Sequence, residues 1–425
     1  MKRKLASAIV IAGMMVSVAA CGGNSKDDSK DAGPDSWKGQ TLTVWTMDGS
    51  APPQWTKDVQ AAFEKQTGAK VKFEIQKWDG IQQKITTALS EDNPPDVLEV
   101  GNTQTPAYAA TGGLADLTDV KKAIGADWTP SVSQSSVFDG KQYAAPWYFA
   151  NRVVIYNKAI WAKAGITSTP KTRDEFFKDL ETIGKKTDAE PLYLPGQNWY
   201  FLDGLIIGQG GDLVKKQGSK YVSNLADPKV SAAMETYKKY ASYSKAPRDK
   251  DEATPQQATI FAKGKTGAFI GMGWEAATAI QTNKAIEKQI GYFTIPGETA
   301  GKPEGVFLGG SNLAVAQNSK KQSLAKEFLK VALSDQNEGE LAKLNGIVPN
   351  KTSLQTNLQG NAAAEAAAPG AAVGGTTPLI PEWAAVENTP NPIKSYMTAV
   401  LNGKDPAAAA KDVEGEINKR LAQQN

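Results

Sequence analysis

From Thr41 onward the chain switches repeatedly between two hydrophobic periods. "TLTVW" (41–45) sets Leu42 and Val44 between threonines, the two-residue repeat of a half-buried strand. "KDVQAAFEKQTG" (57–68) then puts Val59, Ala62 and Phe63 on one helical face and stops at Gly68, the residue type that closes helices in the left-handed conformation. "VKFEI" (71–75) returns to alternation, Ile81, Ile85 and Leu89 recur every four residues, and "PDVLEV" (95–100) is a short apolar run of buried-strand type. The order β-α-β-α-β predicts a parallel sheet with right-handed crossovers, because each helix must return the chain to the same end. Ligands of such sheets bind beyond the carboxyl ends of the strands. Two polar loops that each carry an aromatic are marked in this way: "TMDGSAPPQW" (46–55) and "GNTQTPAY" (101–108).

A second α/β unit follows. "RVVIYN" (152–157) reads as a strand, with a short helix closing at Gly165. "TRDEFFKDLETIG" (172–184) opens on a capping box, Thr172 with Glu175, and presents Phe176, Leu180 and Ile183 as its apolar face. Helices are expected at 229–243 and 320–333, and strands at "TGAFIGMGW" (266–274) and "SNLAVA" (311–316). The alanine-rich stretch 360–375 is read as packed helix, since alanine favours helix most strongly. "GQGGD" (208–212) lacks the spacing of a dinucleotide loop and is read as a turn. No repeat of solenoid period occurs, and the length beyond residue 36 exceeds one typical core, so two domains are expected.

The first 36 residues follow neither period. Lys2, Arg3 and Lys4, the apolar run 5–18 and the small residues Ala19 and Ala20 have the three parts of a secretory leader. The run falls short of the ~20 residues that a membrane-spanning helix needs. Val18-Ala19-Ala20-Cys21 resembles the bacterial lipobox, which implies that Cys21, the single cysteine, is lipidated and becomes the first mature residue. The small, polar stretch that follows, to Ser36, suits a flexible tether.

Composition narrows the chemistry. The 48 basic and 45 acidic residues come into balance once Lys2, Arg3 and Lys4 leave with the leader, so no basic surplus supports nucleic-acid binding. The chain has no histidine, which removes the usual general base and zinc ligand. Thiol nucleophiles and disulfides go with the lone cysteine. Carboxylate-only chemistry, as in glycosidases, survives this filter. Ten tryptophans make their placement the informative question.

Several stretches, in order, carry a family resemblance: "TLTVW", "PPDVLEV" with "GGLADLT", "FDGKQYAAPW" running into "VIYNKAI", "FAKGKTGAFIGMGWE", "LGGSNLAVAQNSK" with "AKEFL", and "NGIVPN". From about Thr41 to the C-terminus the chain resembles the extracellular solute-binding proteins of ABC sugar importers, the broad family that includes the maltose-binding proteins. The resemblance implies a two-lobed α/β, periplasmic-binding-protein-like fold with a central ligand cleft. Residues 1–20 would be the signal peptide and 21–36 the lipidated tether. Residues 37–149 plus 306–350 would form the N-lobe, and 150–305 plus 351–425 the C-lobe. It further implies an oligosaccharide ligand, membrane permease partners, a monomer anchored outside the cytoplasmic membrane by its lipid, and no cofactor.

Sugars present flat C–H faces and many hydroxyls, so a sugar site needs aromatic platforms with convergent polar groups. Trp274 ending "FIGMGW", Trp383 in "PLIPEWAAVE" and Trp199 in "GQNWYF" match platform positions of the family, with Tyr200 as the rival to Trp199. Trp147 is placed at or beside the cleft; Trp45 is as well suited to a core, and Trp37, Trp78, Trp128 and Trp161 are read as structural. Among polar groups, Asp48, one of Asn102 and Gln104, Asn151, Ser311 and Glu275 are candidate ligand contacts, while Arg152 is either a contact or a hinge ion-pair partner. The stretch "YFANR" (148–152) has no acid where the maltose-binding branch carries one, which leaves the hydroxyl pattern open. A lipid-anchored glycosidase using Glu275 and Glu382 is the rival reading, and a binding protein for a non-sugar solute is the third.

Overall fold

Two sheets, each flanked by its own helices, organise the computed structural model, which describes residues 33–423 apart from 126 and 357. In chain order the strands are β1 (Thr41–Met47), β2 (Lys70–Gln76), β3 (Val97–Gly101), the short pair β4 (Val137–Phe138) and β5 (Lys141–Gln142), β6 (Ala145–Ala150), β7 (Val153–Asn157), β8 (Glu190–Tyr193), the hairpin β9 (Val214–Gln217) and β10 (Lys220–Ser223), β11 (Thr266–Gly271), β12 (Ile290–Phe293) and β13 (Gly309–Val315). The first sheet has the order β2-β1-β3-β13-β6 and the second β12-β7-β11-β8. β1 pairs in parallel with β2 and with β3, and the helices Pro53–Thr67 and Ile81–Leu89 are the crossovers between them.

Neither sheet is wholly parallel, unlike the sequence-based expectation. β13 returns from far along the chain and inserts antiparallel between β3 and β6, with Ser311 opposite Gly101 and Gly309 opposite Ala150. In the second sheet β11 is parallel to β8 but antiparallel to β7. The chain passes from β6 to β7 through Asn151 and Arg152 alone, and antiparallel pairing needs no crossover helix to accommodate such returns.

Burial accounts for the elements. Leu42 and Val44 are fully buried, as are Val97, Leu98 and Val100 of β3. The first helix buries Trp55, Val59, Phe63 and Thr67 at four-residue spacing and ends at Gly68 with φ 70. Trp55 therefore belongs to the core rather than to a ligand loop, and its indole donates to the Asn337 carbonyl at 2.9 Å. The helix Arg173–Lys186 buries Phe176, Leu180 and Ile183; Thr172 caps it by accepting from the Glu175 N–H at 3.2 Å. The Glu175 carboxylate reaches back to the Lys171 N–H at 2.7 Å instead of to Thr172. The alanine-rich stretch forms the packed helix Ala362–Ala371. "GQGGD" is a turn, with Gly210 at φ 64.

The chain returns between the sheets through Val306–Leu308, where Leu308 N–H donates to Gly375 at 2.7 Å and Gly375 N–H to Val306 at 3.0 Å. The helix Trp199–Gly208 seats directly on this crossing. A Cβ on Gly204 would lie 2.9 Å from the Gly305 oxygen and from Val306 Cα, so only glycine permits the contact. The leader and Cys21 lie outside the described residues. Of the tether, Pro34–Ser36 is a single 3-10 turn. No helix among the described residues is long and apolar enough to cross a membrane.

Candidate functional site

Aromatic side chains gather where the second sheet's helices meet the returning crossing. Trp199 is the first residue of Trp199–Gly208, and the Asn198 side chain holds that turn by accepting from the Phe201 N–H at 3.3 Å. Trp383 likewise opens the helix Trp383–Glu387. The two indoles lie with centroids 6.4 Å apart at 47°. Tyr200 lies against Trp199 at 3.9 Å and stacks on Phe307 of the crossing at 4.4 Å and 10°.

One carboxylate joins this group to the first sheet. Glu387, a turn after Trp383, accepts from the Trp383 indole N–H at 2.8 Å and from the Thr103 hydroxyl at 2.7 Å. The Gln104 amide also donates to it. Thr103 and Gln104 follow β3, so these bonds cross from one lobe to the other. Burial pushes Glu387 up to about 7 although all three donors favour its charged form. Nearby, the Arg152 guanidinium pairs with Glu252 at 2.6 Å and lies 5.6 Å from the Tyr200 ring. Its Nε and one terminal nitrogen have no partner.

A cavity of about 410 Å³ opens beside the later turns of the helix Trp199–Gly208. Asp203, Ile207, Leu213 and Tyr221 line it on one side, Thr377 and Ile380 on another, and Gln134 reaches it from the first lobe. The same two segments build both features. Asp203 is one helical turn beyond Trp199, and the Ile380 carbonyl accepts the Trp383 N–H at 3.1 Å. Asp203 is buried with one oxygen unpartnered, and burial, followed by the charges of Glu387 and Asp212, pushes it up to about 8. Apolar ring faces beside desolvated hydrogen-bonding groups can hold a neutral polyhydroxylated molecule by stacking and directed hydrogen bonds.

Trp199, Trp383 and Gln104 are thus brought together, with Arg152 beside them. Trp274 stands apart: it is the second residue of the helix Gly273–Thr282 and 38% exposed. The remaining candidates make contacts within the protein in this structure. Trp147 is 1% exposed and packs on Trp55 at 5.2 Å within the first lobe's core. Asn102 uses both ends of its amide on the β13 side, donating to Leu308 O at 2.8 Å and accepting from Gly310 N–H at 3.3 Å. Ser311 donates to the Tyr148 hydroxyl at 3.2 Å in a buried network that includes Glu99. Asp48 pairs with Lys77 in an exposed loop. Glu275 accepts from the Met272 N–H at 2.7 Å and from Gln257 at 2.9 Å, capping the helix that carries Trp274; burial pushes it up to about 7. Asn151 donates to the Ala367 carbonyl at 3.1 Å and keeps an unpartnered oxygen.

Sequence reasoning missed Thr103, Glu387, Asp203 and Thr377. Glu387 had a signal, since "WAAVE" places it four residues after Trp383, within reach on one helix face. Trp78, read as structural, is 46% exposed, and a Cβ on Gly101 would lie 3.9 Å from its ring and from Gln104. Its ring therefore lies against the end of β3, where the second marked loop begins.

Comparison with known proteins adds an independent line. A family described as bacterial extracellular solute-binding protein matches residues 48–339. The diacetylchitobiose binding protein DasA of Streptomyces coelicolor is 74% identical over 424 residues, covering 100% of both chains. A maltooligosaccharide ABC transporter solute-binding lipoprotein of Streptococcus pneumoniae is 25% identical over 423 residues, covering 96% of this chain and 94% of its own. Among solved structures, the GacH receptor of Streptomyces glaucescens, determined unliganded and with acarbose, aligns with a TM-score of 0.77 at 24% identity, covering 91% of this chain and 100% of its own. That likeness speaks for the two-lobed fold alone.

Proposed function

The chain belongs to the bacterial extracellular solute-binding proteins, and from that premise we propose that it captures a short N-acetylglucosamine oligosaccharide, such as diacetylchitobiose, for an ABC importer. The relative that is 74% identical along the whole chain is named for that disaccharide. The structural observation that carries the reading is the Trp199–Trp383 pair, whose neighbouring carboxylate Glu387 is hydrogen-bonded from both lobes. Trp199 and Trp383 are 5% and 0% exposed, so a ring reaches either indole only when the lobes open; two such faces suit a disaccharide better than a monosaccharide.

Residues 37–149 plus 306–350 form one moving body and 150–305 plus 351–425 the other, hinged at Asn151–Arg152 and Val306–Leu308. Closure makes the Thr103 and Gln104 bonds to Glu387 and buries the ligand, and the closed form is what the membrane permease reads. Cys21 carries the lipid that holds the monomer at the outer face of the cytoplasmic membrane. The ligand leaves chemically unchanged: Glu275, which a glycosidase would need, is committed to its helix cap.

Calorimetric titration of the mature chain with diacetylchitobiose, maltose and cellobiose tests this. A dissociation constant near micromolar for diacetylchitobiose, about −8 kcal/mol, is expected. Binding weaker than about a millimolar for all three, or the appearance of hydrolysis products, sinks it.

A further inference from the structure

Every indole assigned to the ligand so far belongs to one lobe. Trp199 and Trp383 pack in the second lobe's core, and Trp274 follows β11 of its sheet. Trp147 of the first lobe is packed in that lobe's own core. Among the described residues two tryptophans are exposed, Trp274 and Trp78, and of these Trp78 follows β2 of the first sheet.

Trp78 lies on the edge where such a sheet takes its ligand. β1, β2 and β3 run parallel, so Met47, Gln76 and Gly101 end on the same side, with Met47 directly opposite Gln76. β1 stands between the other two. Although Trp78 follows β2, its ring lies against the end of β3, where a Cβ on Gly101 would be 3.9 Å from the ring and 3.9 Å from the Gln104 side chain. The indole therefore reaches across the carboxyl end of β1 and covers the edge on which open α/β sheets bind their ligands.

The loop that carries the ring is held on both sides. Asp48 N–H donates to the Gln76 carbonyl at 2.8 Å, Lys77 pairs with Asp48, and Ile81 N–H donates to the Trp78 carbonyl at 3.2 Å. That ion pair neutralises the Lys77 charge beside the ring, which suits a neutral ligand. Gln104 connects this position to the buried pair, because its amide donates to Glu387, which also accepts from the Trp383 indole. An indole 46% exposed on a held loop leaves a flat apolar face in water, the kind of face that the C–H surface of a sugar ring covers.

We propose that Trp78 is the first lobe's platform: it stacks on one N-acetylglucosamine ring, is open to the sugar before closure, and gives the ligand an indole from each lobe. The inference rests on the saccharide reading above and adds the residue with which the first lobe takes hold.

The test compares wild type, Trp78→Ala and Trp78→Phe by calorimetry with diacetylchitobiose. Trp78→Ala is expected to weaken binding by about tenfold, the scale of one aromatic stack, and Trp78→Phe by less. Ligand-free melting temperatures should stay near that of wild type, because much of the ring is already in water. The sugar should also shield part of the wild-type tryptophan emission from acrylamide, and that part should be missing in Trp78→Phe, a readout that holds even where the alanine variant folds poorly. A dissociation constant for folded Trp78→Ala within about twofold of wild type, or equal shielding in wild type and Trp78→Phe, overturns the platform and leaves the saccharide reading standing. Unchanged binding with lost uptake by cells overturns it too, by making Trp78 a contact for the permease. Failure of wild type to bind the sugar overturns both.

Discussion

Replacing Glu387 by alanine removes an acceptor shared by donors from the two lobes. Three bonds go: from Trp383 within its own helix, and from Thr103 and Gln104 across the junction. A hydrogen bond to a charged group contributes about 1.5–3 kcal/mol, and contacts that share an acceptor are not additive. The two crossing bonds together therefore favour the closed form by about 3 kcal/mol, which is roughly a hundredfold in an equilibrium constant. Because the ligand is held by the closed form, Glu387→Ala should raise the dissociation constant for diacetylchitobiose by about that factor. Glu387→Gln is the sharper control. Gln104 has a buried carbonyl oxygen with no partner, so an amide at 387 finds an acceptor there while its own oxygen still serves Trp383. That variant should lose less than about fivefold, within the spread of a single neutral hydrogen bond. Tryptophan-fluorescence titration measures both, with small-angle scattering to report closure. Equal losses in the two variants, or binding of Glu387→Ala within about threefold of wild type, would refute the bridge, since ~3 kcal/mol could not then reside in it.

Acidity, aromatic burial and the hinge ion pair supply further tests. Burial raises Asp203 to about 8, so the folded form holds a proton that the unfolded chain releases; its stabilising contribution is full below the ordinary aspartate range and is lost as pH rises through about 8. The melting temperature should therefore fall between pH 5 and 9, and Asp203→Asn should flatten that slope; an equal slope in both counts against it. Trp383 is fully buried and Trp274 is 38% exposed. Trp383→Ala should cost about 3–5 kcal/mol in urea unfolding as well as binding, whereas Trp274→Ala should leave unfolding unchanged, so that any loss of affinity reports ligand contact. Arg152→Met strands Glu252 at a largely buried ion pair and should cost about 3–5 kcal/mol, which Arg152→Met with Glu252→Gln should partly restore; no restoration would place the cost in lost packing with Tyr200 instead.

Period and punctuation made much of the scaffold legible. The strands at Thr41 and Val97, the helix stop at Gly68 and the Phe176, Leu180, Ile183 stripe follow from local rules, and each is set by residues close in sequence. Strand direction was not local. β13 inserts between β3 and β6 from more than 150 residues away in the chain, and nothing in "SNLAVA" encodes its neighbours. The site divided in the same way. Asn102 was placed on the right loop, yet whether its amide faces a ligand or the Leu308 and Gly310 backbone depends on β13. Asp203 offered no pattern at all, because an aspartate inside "YFLDGLIIG" becomes informative only when its carboxyl is found buried without a partner.

The three platform candidates share a feature that none of their sequence motifs displays. Trp199, Trp274 and Trp383 each occupy the first or second position of a helix. At that position the chain direction is fixed by the cap. The polar neighbours then serve to orient the indole. Asn198 accepts from Phe201 N–H and Glu275 from Met272 N–H, each holding the turn that aims a tryptophan. Glu275 therefore acts on binding through the helix start, not through the ligand. Glu275→Gln, which still accepts from Met272, should leave affinity nearly unchanged, while Glu275→Ala should weaken it only as far as Trp274 contributes, and should have no effect on binding in a Trp274→Ala background. Additive losses in that double variant would mean that Glu275 reaches the ligand itself.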